Sequence, residues 1–244
     1  MRPITEIDPR ATSYAITGAM KALERRFEVV ADNLANVETN GHKRLIAYSI
    51  GSSDDSSAAQ GTESIGAELE RDFTQGDLIE SGDPADLALN GEGFFAVQVD
   101  ADIRYVRTAR LFRDPEGTLR DGKGAQLLGE SGPISVPTEA VDLRVEKDGT
   151  VTADLEAVGK LRVVTFVDPT ELNAVGGGRY AASSSAELVA ATATDVASGF
   201  RERSNTDPVS ELVEMILIQR QYEAAQRALS TESELRRSLN ELSG

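Results

Sequence analysis

The sequence contains no cysteine and a single histidine, His42, among its 244 residues. Disulfide bonds and thiolate chemistry are therefore excluded, and a zinc site built from cysteine and histidine has too few ligands. No acid or nucleophile pattern accompanies His42, so we expect it to be a turn residue at the surface or in an interface. The sequence predicts no metal and no cofactor.

Basic residues are also scarce: 25 Lys and Arg face 41 Asp and Glu, for a formal net charge of −16. Nucleic acid is not an expected partner, because binding phosphates needs a basic face. Apolar runs are too short to cross a bilayer, and the first ten residues carry charges and prolines where a signal peptide has an apolar core. We therefore expect no membrane insertion and no cleaved signal. The length allows one sizeable domain or two small ones.

The first regular pattern predicts a long helix from Tyr14 to about Val37. Its apolar residues alternate in steps of four and three, which is typical of a coiled-coil seam. They are Ile16, Met20, Leu23, Phe27, Val30, Leu34 and Val37. The Asn40–Gly41 pair supplies a residue that can adopt positive φ, and we expect the helix to end there.

A second long helix is predicted from Asp207 to about Leu242. Asp207–Pro208 is a helix start signal, an acceptor side chain followed by a ring with helical φ. The same alternation follows at Met215, Ile218, Tyr222, Ala225 and Leu229. A single helix of this length is marginal in water, so the two helices pack together or pack against other copies.

Between the helices the sequence pattern predicts short strands. Residues 49–68 are small, polar and acidic and read as a linker, while residues 69–198 form a β domain with a segment that returns to the helices. Turn pairs separate six candidate strands: Asp86–Leu89, Gly93–Gln98, Tyr105–Ala109, Leu143–Glu146, Thr150–Ala153 and Leu161–Val167. The prediction is an α+β fold, in which residues 1–48 and 199–244 form a coiled-coil stem and the all-β domain is inserted between them.

Residues that could carry chemistry are few. The segment Asn90-Gly-Glu-Gly-Phe-Phe95 is rich in glycine but lacks the Lys and Ser/Thr of a phosphate loop, so we interpret it as a tight turn before a strand. Asp83 and Asp86 could pair as carboxylates, but no pocket signal accompanies them, and turn and strand-start roles are favoured. The sequence does not predict an enzyme. A hydrolase is kept as an alternative, although no catalytic motif supports it.

Several motifs, in order along nearly the whole chain, resemble those of flagellar rod and hook proteins. The N-terminal ones are Asn33-Leu-Ala-Asn36 and Thr39-Asn-Gly-His-Lys43. The middle ones are Asp86-Leu-Ala-Leu-Asn-Gly-Glu-Gly-Phe-Phe95 and Tyr105-Val-Arg-Thr108, and the C-terminal ones are Ser204-Asn205, Glu211-Leu-Val-Glu-Met-Ile216 and Gln219-Arg-Gln-Tyr-Glu223. His42, Ala225 and Ser198 depart from the residues usual in that family, which leaves both the distal and the proximal rod type open.

The resemblance implies a structural subunit of the bacterial flagellar basal-body rod. Such a subunit would polymerise through its terminal helices into the axial tube that transmits torque, in the periplasm, after passage through the flagellar export apparatus. Its partners would be other copies of itself and other rod or hook subunits. A hook or other axial subunit, or a secreted β-domain binding module on a coiled-coil stem, are the alternatives. The expected assembly interface is Ile16, Met20, Leu23, Phe27, Val30, Asn33, Leu34, Asn36, Met215, Ile218, Tyr222 and Leu229.

Overall fold

The computed structural model describes residues 9–50, 66–191 and 193–243. The chain forms two compact units: the first contains Met1–Ala35, Leu45–Glu70 and Asp207–Gly244, and the second contains Asn36–Arg44 and Arg71–Thr206. The predicted α+β class, with terminal helices and an inserted all-β region, is confirmed. None of the helices in the described ranges has the length and apolar character needed to cross a membrane.

The first unit is built on two helices, α1 (Pro9–Ala35) and α2 (Pro208–Ser243). At a rise of about 1.5 Å per residue they are roughly 40 and 54 Å long. Strands β1 (Leu45–Ile50) and β2 (Gly66–Arg71) form a two-stranded sheet. The linker predicted for residues 49–68 falls largely on residues 51–65, outside the described residues.

The predicted start of α2 is confirmed, and the predicted end of α1 is not. At the start of α2 the Asp207 carboxylate accepts from the Val209 N–H at 3.1 Å, which confirms the predicted cap. The prediction that α1 ends at Asn40–Gly41 is wrong, because α1 already ends at Ala35. A separate turn follows, in which the Thr39 N–H donates to the Asn36 carbonyl and Gly41 has φ 71°. This turn belongs to the second unit and places His42 at a buried position, which corrects its expected exposure.

The second unit is all β apart from a 3-10 turn at Pro169–Glu171. Its strands are β3 (Leu78–Glu80), β4 (Asp86–Asn90), β5 (Phe94–Val99), β6 (Asp102–Val106), β7 (Thr108–Arg110), β8 (Phe112–Arg113), β9 (Leu119–Arg120), β10 (Gln126–Gly129), β11 (Gly132–Pro133), β12 (Leu143–Val145), β13 (Thr150–Ala153), β14 (Glu156–Lys160), β15 (Val163–Phe166), β16 (Leu172–Gly176), β17 (Arg179–Ala182), β18 (Leu188–Ala190), β19 (Asp195–Ser198) and β20 (Phe200–Glu202).

These strands form one large sheet and three small ones. The large sheet runs in the order β16-β17-β6-β5-β10-β9-β8, with β11 beside β10 and β15 joining β5 to β18. The small sheets are β12-β13-β14, β19-β4-β7 and β20-β3. All six predicted strand segments contain strands, but Tyr105–Ala109 is split into β6 and β7 around Arg107. The split has a physical reason, since the Arg107 side chain enters the interior there and is 3% exposed.

Strand β5 contributes to both hydrophobic cores of the second unit. Because side chains alternate along a strand, Phe95 and Val97 enter one cluster, and Phe94 and Ala96 enter the other. The second cluster is aromatic: the Phe94 ring packs edge-on against Phe73, Phe166 and Tyr180 at centroid distances of 5.7–6.0 Å. A strand buried on both faces reads as a continuous apolar run, which is why this segment was predictable.

A buried ionic triad joins three distant parts of the second unit. The Glu202 carboxylate accepts from Lys43 Nζ at 2.6 Å and from Arg107 Nε at 2.8 Å, and the three side chains are at most 4% exposed. Lys43 also donates to the Thr74 carbonyl. Arg107 donates to the carbonyls of Leu89, Gly91 and Gly93. The glycine-rich turn between β4 and β5 is therefore held by a guanidinium, which agrees with its interpretation as a turn.

Tyr180 generates a prediction about alkaline stability. Its hydroxyl donates to the Gly41 carbonyl at 3.0 Å, and burial raises its pKa to about 12. The folded pKa lies above the unfolded value of about 10, so the stability it contributes is complete below pH 10 and is lost as the pH rises toward 12. The slope from this residue should approach about 1.4 kcal/mol per pH unit.

Tyr180→Phe should remove that slope and lower the free energy of unfolding by about 1 kcal/mol at neutral pH, through loss of the hydrogen bond. Urea unfolding of both proteins between about pH 9 and pH 11 measures the difference. The control is Tyr48→Phe, whose ring is 48% exposed. An unchanged pH dependence in Tyr180→Phe would contradict the assignment.

Candidate assembly surface

The two terminal helices pack against each other within one chain. Side chains bridge them at three levels: Ser13 with Glu232, Glu24 with Tyr222, and Arg26 with Glu214. Residue numbers rise along α1 as they fall along α2, so the pair is an antiparallel hairpin. Of the two arrangements that the sequence left open, packing of the helices on each other is therefore present in the single chain.

The predicted interface residues of α1 lie along this hairpin to different depths. Val30 and Asn33 are buried, whereas Ile16, Met20, Leu23, Phe27 and Leu34 are half-buried. Val29, which the seam pattern did not include, is as buried as Val30. Asn36 lies beyond the end of α1, in the turn where it accepts from Thr39, and is assigned to the second unit. It is the one predicted interface residue that lies outside the two helices.

On α2 the predicted stripe also faces the chain interior. Ile218 is buried at 2% exposure, and Met215, Tyr222 and Leu229 are half-buried. The Tyr222 hydroxyl donates to the Glu24 carboxylate at 3.0 Å, and this hydrogen bond raises the pKa of Tyr222. The predicted stripes thus contribute to the hairpin, and their role between subunits stays a prediction.

Asn33 fixes the register at the closed end of the first unit. Its amide oxygen accepts from the Leu45 N–H and its amide nitrogen donates to the Leu45 carbonyl, both at 2.8 Å. The same nitrogen lies 3.4 Å from a carboxylate oxygen of the buried Glu211 at the start of α2. One buried amide therefore links the end of α1, the start of β1 and the first turn of α2. This arrangement fits the register role that a buried asparagine has in helical assemblies.

The opposite face of α2 carries an apolar surface that the sequence reasoning missed. We call it the α2 stripe: Val209, Leu212, Val213, Ile216 and Leu217. These side chains are 46–67% exposed, although all five are large and apolar. Their spacing of three, four, seven and eight residues places them on one helix face. That spacing is readable in the sequence as a second apolar period beside the first.

The residues considered for chemistry have structural partners instead. Asp83 pairs with Arg110, and Asp86, 1% exposed, pairs with Arg201 at 2.6 Å. Burial alone would raise the pKa of Asp86, but hydrogen bonds from Arg201 and Ser81 hold it below its usual value. Within residues 9–50, 66–191 and 193–243, no group of three or more His, Asp or Glu side chains could hold a metal ion.

Three protein-family models match the chain in order. Residues 14–43 match the model described as flagella basal body rod protein, and residues 88–153 match the flagellar hook protein FlgE/F/G D1 domain. Residues 197–242, which contain the α2 stripe, match the flagellar basal body rod FlgEFG protein C-terminal model. The matched segments cover both helices and part of the β unit.

Curated relatives are similar over almost their whole length. The chain is 33% identical to flagellar basal-body rod protein FlgF of Caulobacter vibrioides, over 95% of this chain and 97% of that protein. It is 30% identical to FlgF of Salmonella typhimurium, over 94% and 96%. It is 28% identical to flagellar basal-body rod protein FlgG of Buchnera aphidicola subsp. Acyrthosiphon pisum, over 91% and 96%.

Asn33→Asp tests the register role of the buried amide. The change removes the donor toward Leu45 and places a second carboxylate beside Glu211, so we expect the free energy of unfolding of the helical unit to fall by about 2–4 kcal/mol. Helical circular dichroism during urea unfolding measures it. Glu211→Gln in the same background should recover part of the loss. The control Glu28→Gln, at an exposed α1 position, should change stability by less than about 0.5 kcal/mol. A loss no larger than the control's would exclude the role.

Proposed function

The chain belongs to the family of flagellar basal-body rod proteins, and on this premise we propose that it polymerises through its terminal helices into the axial rod that transmits torque. As a member of that family it is a structural subunit of the flagellar basal body and not an enzyme. Its partners are other axial subunits of the flagellum. The assembly surface, the polymer and the mechanical role are the parts that we propose.

The observation that carries the proposal is the two-faced character of α2. One face packs on α1 and buries Ile218, while the other exposes the five residues of the α2 stripe. Exposed contiguous apolar surface on a soluble chain marks an interaction site. Covering one such side chain contributes about 1.5–3 kcal/mol, so a stripe of five can hold a subunit in place once its neighbours are present.

An open polymer needs a patch that meets a different patch on the next copy, because a contact between identical patches closes as a dimer. The α2 stripe and the outer, half-buried part of the α1 seam are two such different patches. We propose that they meet between neighbouring subunits. The bridging contacts between α1 and α2 make the hairpin a stiff element, which is what the transmission of torque requires of each subunit.

We place this assembly in the periplasmic segment of the rod, reached through the flagellar export apparatus without a cleaved signal. Family membership supports this location. A hook subunit is the second candidate, because residues 88–153 match a hook-protein domain model. Deletion of the gene separates the two, since loss of a rod subunit stops assembly before any hook forms, and loss of a hook subunit leaves a complete rod.

Ile216→Glu tests the α2 stripe directly. Ile216 is 50% exposed, so the single chain should keep its circular dichroism and unfold within about 1 kcal/mol of the parent. In the assembly the new carboxylate would be buried without a partner, at a cost of several kcal/mol. We therefore expect cells with this variant to be non-motile and to lack complete rods in electron micrographs of isolated basal bodies.

Gln221→Glu is the matched control, because it adds the same charge at an exposed position of α2 about 140° around the helix from Ile216. It should support motility. If Ile216→Glu cells swim like the parent, the α2 stripe is not an assembly surface and the proposal is wrong.

A further inference from the structure

Two large apolar side chains of the β unit stand almost fully in solvent. Val141 is 93% exposed and Leu155 is 86% exposed. We call this pair the apolar knob. The two positions are joined by hydrogen bonds: the Asp154 carboxylate accepts from the Val141 N–H at 3.0 Å and the Asp142 N–H at 2.8 Å, and the Asp154 N–H donates to the Asp142 carbonyl. The knob is therefore a single, fixed feature.

The backbone under the knob is strained. Asp154 and Leu155 form the turn between β13 and β14, with φ of 51° and 72°. Glycine or asparagine is preferred in this left-handed region, and a leucine there is unusual. Strain of this kind persists where the residue has a function to perform. Here the strained residue is a leucine whose side chain is exposed to solvent. Since this side chain adds little to the core, we expect its function to be contact with another molecule.

The surroundings of the knob are acidic. Glu139, Asp142, Asp154 and Glu156 lie within two positions of Val141 or Leu155 along the chain. Three of these four residues are exposed, and the half-buried Asp142 pairs with Arg144 at 2.8 Å. Glu139, Asp154 and Glu156 have no ion pair among the described residues. A partner surface that accepts the knob must therefore combine an apolar floor with a basic rim. In a chain with a net charge of −16, a surface with those properties is uncommon.

The second unit itself offers such a surface, which we call the basic cleft. It has a volume of about 450 Å³, and the apolar residues Val106 and Ala109 are among those that line it. Four basic side chains line it against two carboxylates, Asp86 and Asp121. The basic residues are Arg110, Lys123, Arg179 and Arg201.

One of these cations is available to an incoming acid. Both lining carboxylates are already paired, Asp86 with Arg201 and Asp121 with Arg179. Lys123 donates to the Gly177 carbonyl and has no carboxylate within 4.0 Å among the described residues. Arg110 pairs with Asp83, so Lys123 is the lining cation that brings positive charge without a carboxylate partner, opposite in sign to the residues around the knob.

We propose that the apolar knob of one copy inserts into the basic cleft of the next copy, which makes a second head-to-tail contact between neighbouring subunits. Charge supports the pairing: an exposed apolar pair among carboxylates meets a cleft lined by four basic side chains and two carboxylates. The knob and the cleft share no residue, so a contact that runs one way from copy to copy is heterologous, as an open polymer requires. The inference rests on the proposed polymerisation, but it uses the β unit and not the helices.

Introduced cysteines test the contact, because the native chain has none. Leu155→Cys and Lys123→Cys are combined in one chain, and isolated basal bodies are oxidised with copper–phenanthroline. We expect a ladder of disulfide-linked species that extends beyond the dimer and disappears on reduction, since each copy is joined to the next. Each single variant, and the pair Val167→Cys with Lys123→Cys, should give no ladder. Val167 is a suitable control because it is 66% exposed and lies outside the knob.

The outcome separates this inference from the proposed function. Rods that form but give no ladder would overturn the knob-and-cleft contact and leave polymerisation through the helices intact. If Ile216→Glu rods assemble normally and the cysteine pair still gives a ladder, the knob-and-cleft contact is supported and polymerisation through the helices is overturned.

Leu155→Gly gives an independent measurement without cross-linking. Glycine adopts the positive φ of this turn without strain, so the variant should unfold at the same or a higher temperature than the parent. It also removes the knob side chain, and we expect a loss of spreading in soft agar. Val167→Ala, which trims an exposed apolar residue elsewhere, should spread like the parent. If Leu155→Gly cells spread like the parent, the inference is wrong.

Discussion

The β unit depends on one buried carboxylate. Glu202 is fully buried and forms ion pairs with both Lys43 and Arg107, which come from parts of the chain 159 and 95 residues away. Removal of one partner from such a group leaves an uncompensated charge and costs about 3–5 kcal/mol. Burial lowers the pKa of Lys43, while the Glu202 carboxylate opposes that shift. All three side chains must therefore be in place for the cluster to be stable, and the cluster specifies how three distant segments of the chain meet.

The other features of the second unit follow from this contact. Arg107 holds the carbonyls of the glycine turn that leads into β5, and β5 supplies side chains to both cores. Lys43 ends the turn whose Gly41 carbonyl receives the Tyr180 hydroxyl. The ionic cluster, the Tyr180 hydrogen bond and the two hydrophobic cores thus all involve the turn before β5, strand β5 or the turn that ends at Lys43.

Sequence reasoning succeeded where a pattern had one physical cause. Local rules account for the helical period of α1, the Asp207 cap and the buried run of β5. The helices and main strands were predicted from such patterns. It failed where tertiary contacts decide. The buried position of Lys43 depends on Glu202, which is far away in sequence. Many of the two- and three-residue strands have no periodicity to detect. The spacing of apolar residues also contains the α2 stripe, because α2 is apolar on two faces and only one of them packs on α1.

The antiparallel pairing of α1 with α2 sets the order of events during synthesis. Asn33 and Glu211, which meet at the closed end of the hairpin, are 178 residues apart in the chain. At about 5–20 residues per second a ribosome needs roughly 10–40 s to make the intervening segment. Throughout that interval α1 has no α2 to pack against, and Asn33 has no Glu211 beside it. The hairpin can therefore close only after α2 has been synthesised.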